Sequence, residues 1–123
     1  MTTCLLIDDS EVVRKVARFI FESMKFEAIE ADCGEDALAQ CAKAMPDLIL
    51  LDSYIPAMPT ASFLSALRAM PNGDKPYVIY CATENDPGEI ARALTGGADD
   101  YVLKPFDRES LGKKVAGAGL LPA

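Results

Sequence analysis

The chain has 123 residues, of which 50% are hydrophobic and 25% are charged, and its formal net charge is −7. This length and composition predict one compact domain that is large enough to bury a proper core. The chain contains no histidine, which excludes Ser-His-Asp and Cys-His catalysis and imidazole-ligated zinc. The acidic excess argues against binding to nucleic acid and to anionic membranes.

The cysteines and the N-terminus indicate a reducing, cytoplasmic location. The chain has four cysteines and none of them forms a CxxC pair, so we expect free thiols that act as small core residues. No signal peptide follows Met1, and no apolar stretch approaches membrane-spanning length. We therefore expect a cytoplasmic protein without metal or redox chemistry at its thiols.

The first third of the chain alternates strand, helix and strand. Residues 3–8 form a short apolar run that ends in acid, which predicts a strand. Residues 11–24 carry apolar side chains at every third or fourth position, which predicts an amphipathic helix capped by Ser10. Residues 26–31 alternate with a period of two, as a second strand would.

The middle of the chain continues this alternation. Residues 34–44 have helical periodicity, and Pro46 closes that segment. Residues 48–51 read LILL, an unbroken apolar run that is typical of a central parallel strand. Residues 61–70 fit a helix, which a Pro-Asn-Gly turn ends.

The last part of the chain predicts two more strands and two more helices. Residues 77–82 (YVIYCA) are rich in aromatic and β-branched side chains, and residues 101–103 form a short fifth strand. Asp86 is the expected cap of a helix that runs to about residue 95, and Asp107 is the expected cap of the last helix. Five strands that alternate with five helices predict a doubly wound α/β fold around a parallel sheet.

Ligands of such sheets gather at the carboxyl ends of the strands, so the residues at those ends are the candidate site. In strand order they are Asp8 and Asp9, Asp52, Ala82 and Thr83, and Lys104 and Pro105. Each of these alone is an ordinary turn or capping residue. Their joint position at one edge of the sheet indicates a site of three carboxylates and one lysine.

That combination of groups suits phosphoryl transfer. Crowded carboxylates repel one another, and a Mg2+ ion relieves the repulsion because it prefers oxygen ligands. Lys104 offers a compact positive charge for a phosphoryl oxygen. A carboxylate beside Mg2+ and lysine is a plausible nucleophile that would form an aspartyl-phosphate.

Three motifs give the chain a resemblance to a known family. LLIDDS, DLILLDSYIPAM and GADDYVLKPF, with the spacing between them, resemble the response-regulator receiver domain of two-component signalling in its stand-alone, CheY-like form. The resemblance implies a flavodoxin/CheY-like (βα)5 three-layer sandwich with strand order 2-1-3-4-5. It also implies a single receiver domain over residues 1–123, with no output domain.

The resemblance assigns a role to each residue of the candidate site. Asp52 resembles the phosphorylated aspartate, and Lys104 resembles the lysine that contacts the phosphoryl group. Asp9, helped by Asp8, resembles the acidic pair that holds Mg2+, with the backbone carbonyl of Tyr54 as a further ligand. The domain is then a phosphoacceptor and not an enzyme, with Mg2+-dependent self-phosphorylation and autodephosphorylation as its only reactions.

The resemblance extends to the switch and to the partners. Tyr101 occupies the aromatic switch position, and the bond before Pro105 is expected to be cis. The phosphoryl donor would be a histidine kinase or a histidine phosphotransfer protein that docks on the first helix. Arg14, Lys15 and Arg18 on that helix form either a basic docking patch or merely a solvated surface. The output protein, which the sequence does not identify, would bind the face made by helix 4, strand 5 and helix 5.

The chain departs from the family at two places. Counting 30 residues forward from Asp52, or 22 back from Lys104, leads to Ala82, where the family has a threonine or serine. Either the neighbouring Thr83 supplies the switch hydroxyl, or the hydroxyl is missing and the switch is weakened. The second departure is Pro59-Thr60, where an acid or polar residue followed by glycine is usual.

Three functions follow from these residues. The first is a single-domain response regulator that is phosphorylated on Asp52 and acts by protein binding or phosphorelay. The second is a pseudo-receiver, an interaction module that no longer switches, which Ala82 favours. The third, a phosphatase or phosphotransferase with an aspartyl nucleophile, is disfavoured because the chain leaves no room for a substrate-recognition insert.

Overall fold

The computed structural model describes residues 2–120, over which strands and helices alternate. Strands β1 to β5 span Thr3–Ile7, Glu27–Ala31, Leu48–Asp52, Tyr77–Ala82 and Asp100–Leu103. Helices α1 to α5 span Glu11–Ser23, Gly34–Lys43, Thr60–Ala69, Pro87–Thr95 and Arg108–Gly117. All ten predicted elements are present, and the predicted ends differ from these by at most one residue. None of the helices within residues 2–120 is long and apolar enough to cross a membrane.

The five strands form one parallel sheet in the order β2-β1-β3-β4-β5, which confirms the predicted flavodoxin/CheY-like fold. Helices α2, α3 and α4 cover one face of the sheet, and α1 and α5 cover the other. The chain changes direction across the sheet between β1 and β3, and these two central strands are direct neighbours. The crevice beyond their carboxyl ends is therefore the place where this fold binds ligands.

The sheet has a hydrophobic core on each of its faces, which explains the unbroken apolar run LILL in β3. Leu48 and Leu50 pack under α1 and α5, whereas Ile49 and Leu51 pack under α2, α3 and α4, so β3 needs apolar side chains on both faces. By the same alternation, Asp52 lies on the face of Leu48 and Leu50. The strand thus delivers a buried carboxylate to the α1 side of the crevice.

Side chains cap most of the helices as the sequence predicts. Ser10 accepts a hydrogen bond from the Val13 amide at the start of α1, and Asp86 and Asp107 accept amide hydrogen bonds at the starts of α4 and α5. Helix α3 has no side-chain cap at Pro59. Instead, the Thr60 hydroxyl donates to the Ser53 carbonyl at 2.9 Å. The second departure from the family pattern therefore joins α3 to the loop that follows β3.

Helix α1 has a wider apolar stripe than the core covers. Ala17, Ile20 and Phe21 are buried, but Val12 is 73% exposed and Val16 is 48% exposed. Phe19, three residues after Val16 on the same helix, is 76% exposed. These three exposed side chains form an apolar surface on α1. Monomeric domains rarely expose large apolar side chains together unless that surface binds a partner.

All four cysteines are free. Cys4, Cys41 and Cys81 are buried, whereas Cys33 caps α2 through its sulfur atom. Burial raises the pKa of the Cys4 and Cys81 thiols to about 12, which keeps them protonated and unreactive. The prediction of free cysteines that act mainly as core residues is confirmed.

Arg68 ties together two loops, α3–β4 and α4–β5, at the end of the sheet opposite the candidate site. Its guanidinium donates to the backbone carbonyls of Gly73, Pro76 and Gly97 at 2.7–3.0 Å, and to the Asp99 carboxylate at 2.9 Å. One side chain at the end of α3 thereby joins the start of β4 to the end of α4.

Candidate functional site

Three carboxylates meet at the carboxyl ends of β1 and β3. Each of Asp8, Asp9 and Asp52 offers an oxygen atom, and these atoms all lie within 4.8 Å of one another. Asp8 and Asp52 are each only 6% exposed, whereas Asp9 is exposed. The structure thus brings together the acidic residues that the strand-end argument selected.

Lys104 extends from the end of β5 into this group. Its ammonium donates to Oδ2 of Asp8 at 3.0 Å and lies 2.9 Å from Oδ1 of Asp52. Burial alone would lower the pKa of Lys104, but the contacts with Asp52 and Asp8 raise it above its ordinary value. The lysine therefore stays charged. The Lys104–Pro105 bond is cis, the isomer that the resemblance implies.

The Asp52 carboxylate is held in an unfavourable environment. Burial raises its pKa, and the nearby Asp8 charge raises it further, while Lys104 acts in the opposite direction. The ion pair with Lys104 lacks hydrogen-bond geometry, so the buried Oδ1 atom has no hydrogen-bond partner among residues 2–120. A buried carboxylate oxygen that has an ion pair but no hydrogen bond is incompletely satisfied, which is costly unless another group binds it.

These residues fit a magnesium ion. Three carboxylates face one ammonium, and a carboxylate oxygen is left without a hydrogen-bond partner in the described chain. Mg2+ prefers a few carboxylate oxygens completed by a carbonyl and water. Tyr54 lies two residues beyond Asp52 in the β3–α3 loop, with its side chain 65% exposed. Its backbone carbonyl stays the predicted further ligand.

Every polar group of Asp8 has a partner. Its amide donates to the Ala31 carbonyl at 3.2 Å, and its Oδ1 atom accepts from the Ser10 amide at 2.9 Å. Its Oδ2 atom accepts from Lys104, and its backbone carbonyl accepts from Nη1 of Arg14 at 2.8 Å. The sequence predicted Ser10 only as a helix cap and Arg14 only as a surface cation, so this network was missed.

The cations of α1 converge on one carboxylate. Arg14, Lys15 and Arg18 each contact Glu30 at the end of β2, at 3.0, 2.9 and 2.7 Å. Although burial alone would raise the pKa of Glu30, these three partners lower it to about 2. The cations are therefore neither a free basic patch nor a simply solvated surface. The register that sets Glu30 beside Leu6 of β1 is the signal that the sequence reading did not use.

Residues 4–116 match the response regulator receiver domain family. The chain belongs to this family. It is therefore a CheY-like receiver domain of two-component signalling, a signalling domain rather than a conventional enzyme. Receiver domains interact with histidine kinases and downstream effectors, and they bind Mg2+ in their acidic active site.

Curated relatives and solved structures agree with this assignment. The receiver domain is 33% identical over 108 residues to the phosphate regulon transcriptional regulatory protein PhoB of Escherichia coli, covering 87% of this chain and 47% of that protein. It is 30% identical over 116 residues to the CAI-1 autoinducer sensor kinase/phosphatase CqsS of Vibrio cholerae, covering 91% of this chain and 16% of that protein. The chain thus spans half or less of the length of these relatives.

Two solved structures show the same fold. A chemotaxis response regulator of Vibrio cholerae superposes with a TM-score of 0.89 at 28% identity, covering 95% of this chain and 98% of that chain. The receiver domain of a Pseudomonas aeruginosa sensor histidine kinase superposes with a TM-score of 0.86 at 25% identity, covering 94% and 95%. The latter structure has a magnesium ion coordinated in its active-site cleft.

The receiver domain places Ala82 and Thr83 differently. Ala82 is fully buried in the core under α2, α3 and α4, whereas Thr83 is exposed. The Thr83 hydroxyl lies 3.4 Å from the hydroxyl of Ser53, the residue after Asp52. A hydroxyl is therefore present at the rim of the site, but it comes from the position after the one where the family has it.

Tyr101, at the expected switch position on β5, is partly buried. The ammonium of Lys114 lies 4.8 Å from the centre of its ring and also pairs with Asp100 at 3.1 Å. This cation–π contact adds to the packing of the ring against the core under α2, α3 and α4. The face made by α4, β5 and α5 therefore carries an aromatic side chain in contact with a neighbouring lysine.

Proposed function

We propose that Asp52 accepts a phosphoryl group from a phosphohistidine of a histidine kinase or histidine phosphotransfer protein. A carboxylate oxygen of Asp52 attacks phosphorus, the phosphorus–nitrogen bond breaks, and the donor imidazole leaves with the bonding pair. The product is an aspartyl-phosphate on this chain and an unphosphorylated donor. The observation that carries the proposal is the buried Asp52 oxygen without a hydrogen-bond partner in residues 2–120, set among Asp8, Asp9 and Lys104.

Other residues of the site would support this transfer. Asp8, Asp9, Asp52 and the backbone carbonyl of Tyr54 would hold Mg2+. The bound ion would neutralise the charge that the phosphoryl oxygens bring. Lys104, already charged and 2.9 Å from Asp52, would pair with a phosphoryl oxygen after transfer.

The donor would dock on the exposed apolar surface of α1. A groove of about 310 Å3 runs between α1 and the segment after β5, and Lys104 belongs to both the groove and the acidic site. Its lining residues are Val12, Val13, Val16, Thr83, Lys104, Pro105 and Phe106. An apolar helix that presents the phosphohistidine could cover this groove and bring phosphorus to Asp52. The output protein would bind a different surface, the face of α4, β5 and α5. The free cysteines favour the cytoplasm as the location of the protein.

Beryllofluoride, which mimics a phosphoryl group on aspartate, tests this function. Added with Mg2+, it is expected to change the tyrosine fluorescence of the wild-type protein, which contains no tryptophan. Asp52→Asn is expected to show no change, because it lacks the carboxylate that receives the mimic. An equal change in Asp52→Asn, or none in the wild type, would refute the assignment of Asp52.

A second candidate function, a pseudo-receiver, is favoured by the absence of a hydroxyl at Ala82. A hydrogen bond to a charged group contributes about 1.5–3 kcal/mol, which corresponds to roughly one to two decades in the population of a switched conformer. In the phosphoacceptor scheme, Ala82→Thr strengthens the fluorescence response to beryllofluoride, and Asp52→Asn abolishes signalling in cells. A pseudo-receiver would instead signal normally with Asp52→Asn.

A further inference from the structure

We propose that Arg14 is a positioning residue for the acidic site, because it fixes the peptide that joins Asp8 to Asp9. The inference rests on the proposed function, since it concerns the Mg2+ ion that the site would hold. Arg14 does not touch that ion in the proposal. It acts through the backbone that carries the two aspartates.

The contacts of Arg14 are short and largely protected from water. Nη1 donates to the Asp8 carbonyl at 2.8 Å, and Nε donates to Oε1 of Glu30 at 3.0 Å. The Arg14 side chain is 15% exposed and that of Glu30 is 13% exposed. Because few water molecules reach these groups, both bonds are stronger than exposed ones.

The Asp8 carbonyl is the oxygen of the peptide bond that leads to Asp9. A change in the orientation of that peptide would redirect the Asp9 carboxylate, which makes no hydrogen bond or ion pair of its own within residues 2–120. Asp8 itself is held at its amide and at both carboxylate oxygens. Arg14 therefore supplies the side-chain contact that holds the peptide between Asp8 and Asp9, and through it the direction of the Asp9 side chain.

Only arginine satisfies this arrangement. Its planar guanidinium spans two acceptors from two elements, the end of β1 and the end of β2, whereas an ammonium is a single point of contact. Glu30 is in turn anchored by Lys15 and Arg18, at 2.9 and 2.7 Å. The orientation of Arg14 is thus set by the protein before any ion binds, as partners behind metal ligands usually are.

Arg18 provides a matched control. It carries the same charge and contacts the same Glu30, but its contacts in the described chain are with Glu30 and Glu22 and not with Asp8. Simple electrostatics predicts that removing either cation tightens Mg2+ binding, because a positive charge near the site is lost. A positioning role predicts the opposite sign for Arg14 alone.

The experiment titrates the full chain with Mg2+ and follows tyrosine fluorescence and the amide resonance of Asp9. Arg14→Ala is expected to weaken Mg2+ binding about tenfold, the range seen when a partner behind a metal ligand is removed. Arg14→Lys keeps the charge and is expected to bind several-fold more weakly than the wild type. Arg18→Ala is expected to bind as well as the wild type or slightly better.

Two results would overturn the inference: wild-type affinity in both Arg14 variants, or an equal loss in Arg18→Ala. Arg14→Lys decides the matter if Arg14→Ala does not fold, which urea unfolding in EDTA reveals. A wild-type protein that binds no Mg2+ refutes the proposed function itself. If instead the wild type and both Arg14 variants bind Mg2+ equally well, only the role of Arg14 is refuted and the proposed function stands.

Discussion

Asp52→Asn should stabilise the protein when Mg2+ is removed, although it deletes a proposed functional group. At an effective dielectric constant of about 20, like charges at the 4.8 Å upper limit of this cluster repel by about 3.5 kcal/mol, and Asp52 faces two such neighbours. With the same constant, Lys104 at 2.9 Å attracts Asp52 by about 5.7 kcal/mol, which is less than the combined repulsion. The cost of burying the carboxylate is therefore not offset. We expect Asp52→Asn to raise the free energy of unfolding by about 2 kcal/mol.

Urea unfolding at pH 7 in EDTA, followed by far-ultraviolet circular dichroism, measures this difference. The control is Asp74→Asn, which makes the same charge change at an exposed residue with no ion pair in the described chain and should have no effect. Saturating Mg2+ should close the gap, because a ligand at 100 times its dissociation constant stabilises the wild type by about 2.7 kcal/mol.

The pH dependence has a definite sign. Because the pKa of Asp52 is raised in the folded state, its folded form binds a proton more readily than its unfolded form. Without Mg2+, the wild type should therefore gain stability relative to Asp52→Asn as the pH falls through that raised pKa toward 3.8. Lower stability of Asp52→Asn in EDTA at pH 7 would show that the carboxylates do not repel as reasoned.

Two further predictions concern the scaffold. Glu30→Gln should lower the free energy of unfolding above pH 4.5 but not below pH 2. The wild-type advantage is lost as the Glu30 carboxylate, whose pKa is about 2 in the folded state, takes up a proton. Urea unfolding midpoints from pH 2 to 7 check this, and a difference that does not change with pH would contradict it. Gly73→Ala should destabilise by about 2 kcal/mol, because a Cβ atom there would lie 1.9 Å from the Leu67 carbonyl oxygen. Gly117→Ala in α5 is its control, since nothing lies within 4 Å of that position, and thermal melts should show an unchanged or higher melting temperature.

The fold could be predicted because its determinants are local in the sequence. The apolar period of residues 11–24, the LILL run and the caps at Ser10, Asp86 and Asp107 each define an element, and their alternation predicts a parallel doubly wound sheet, whose strand order the family resemblance supplies. That topology in turn brings the strand ends together, so Asp8, Asp9, Asp52 and Lys104 could be grouped without coordinates.

The contacts behind the site could not be predicted, because they depend on register and rotamers. Glu30 meets the α1 cations only because β2 pairs with β1 in one register, which sets residue 30 beside residue 6. The bond from Arg14 to the Asp8 carbonyl depends on the side-chain rotamer, which no spacing rule fixes. The sequence identified the missing hydroxyl at Ala82, but only the structure places the Thr83 hydroxyl beside Ser53.

The corner that Arg68 builds has a mechanical consequence for the face beside Tyr101. The C-terminal end of α4 is held by Arg68 through the Gly97 carbonyl. The N-terminal end follows the exposed segment 83–86 and is held to β4 by the hydrogen bond of 2.6 Å from Tyr80 to Glu89. Both ends of the helix are thus held, the C-terminal end by the Arg68 guanidinium and the first turn by the Tyr80 hydroxyl. A displacement of segment 83–86 would therefore have to break the Tyr80–Glu89 hydrogen bond before α4 could turn about Gly97, so this one bond resists rotation of the helix.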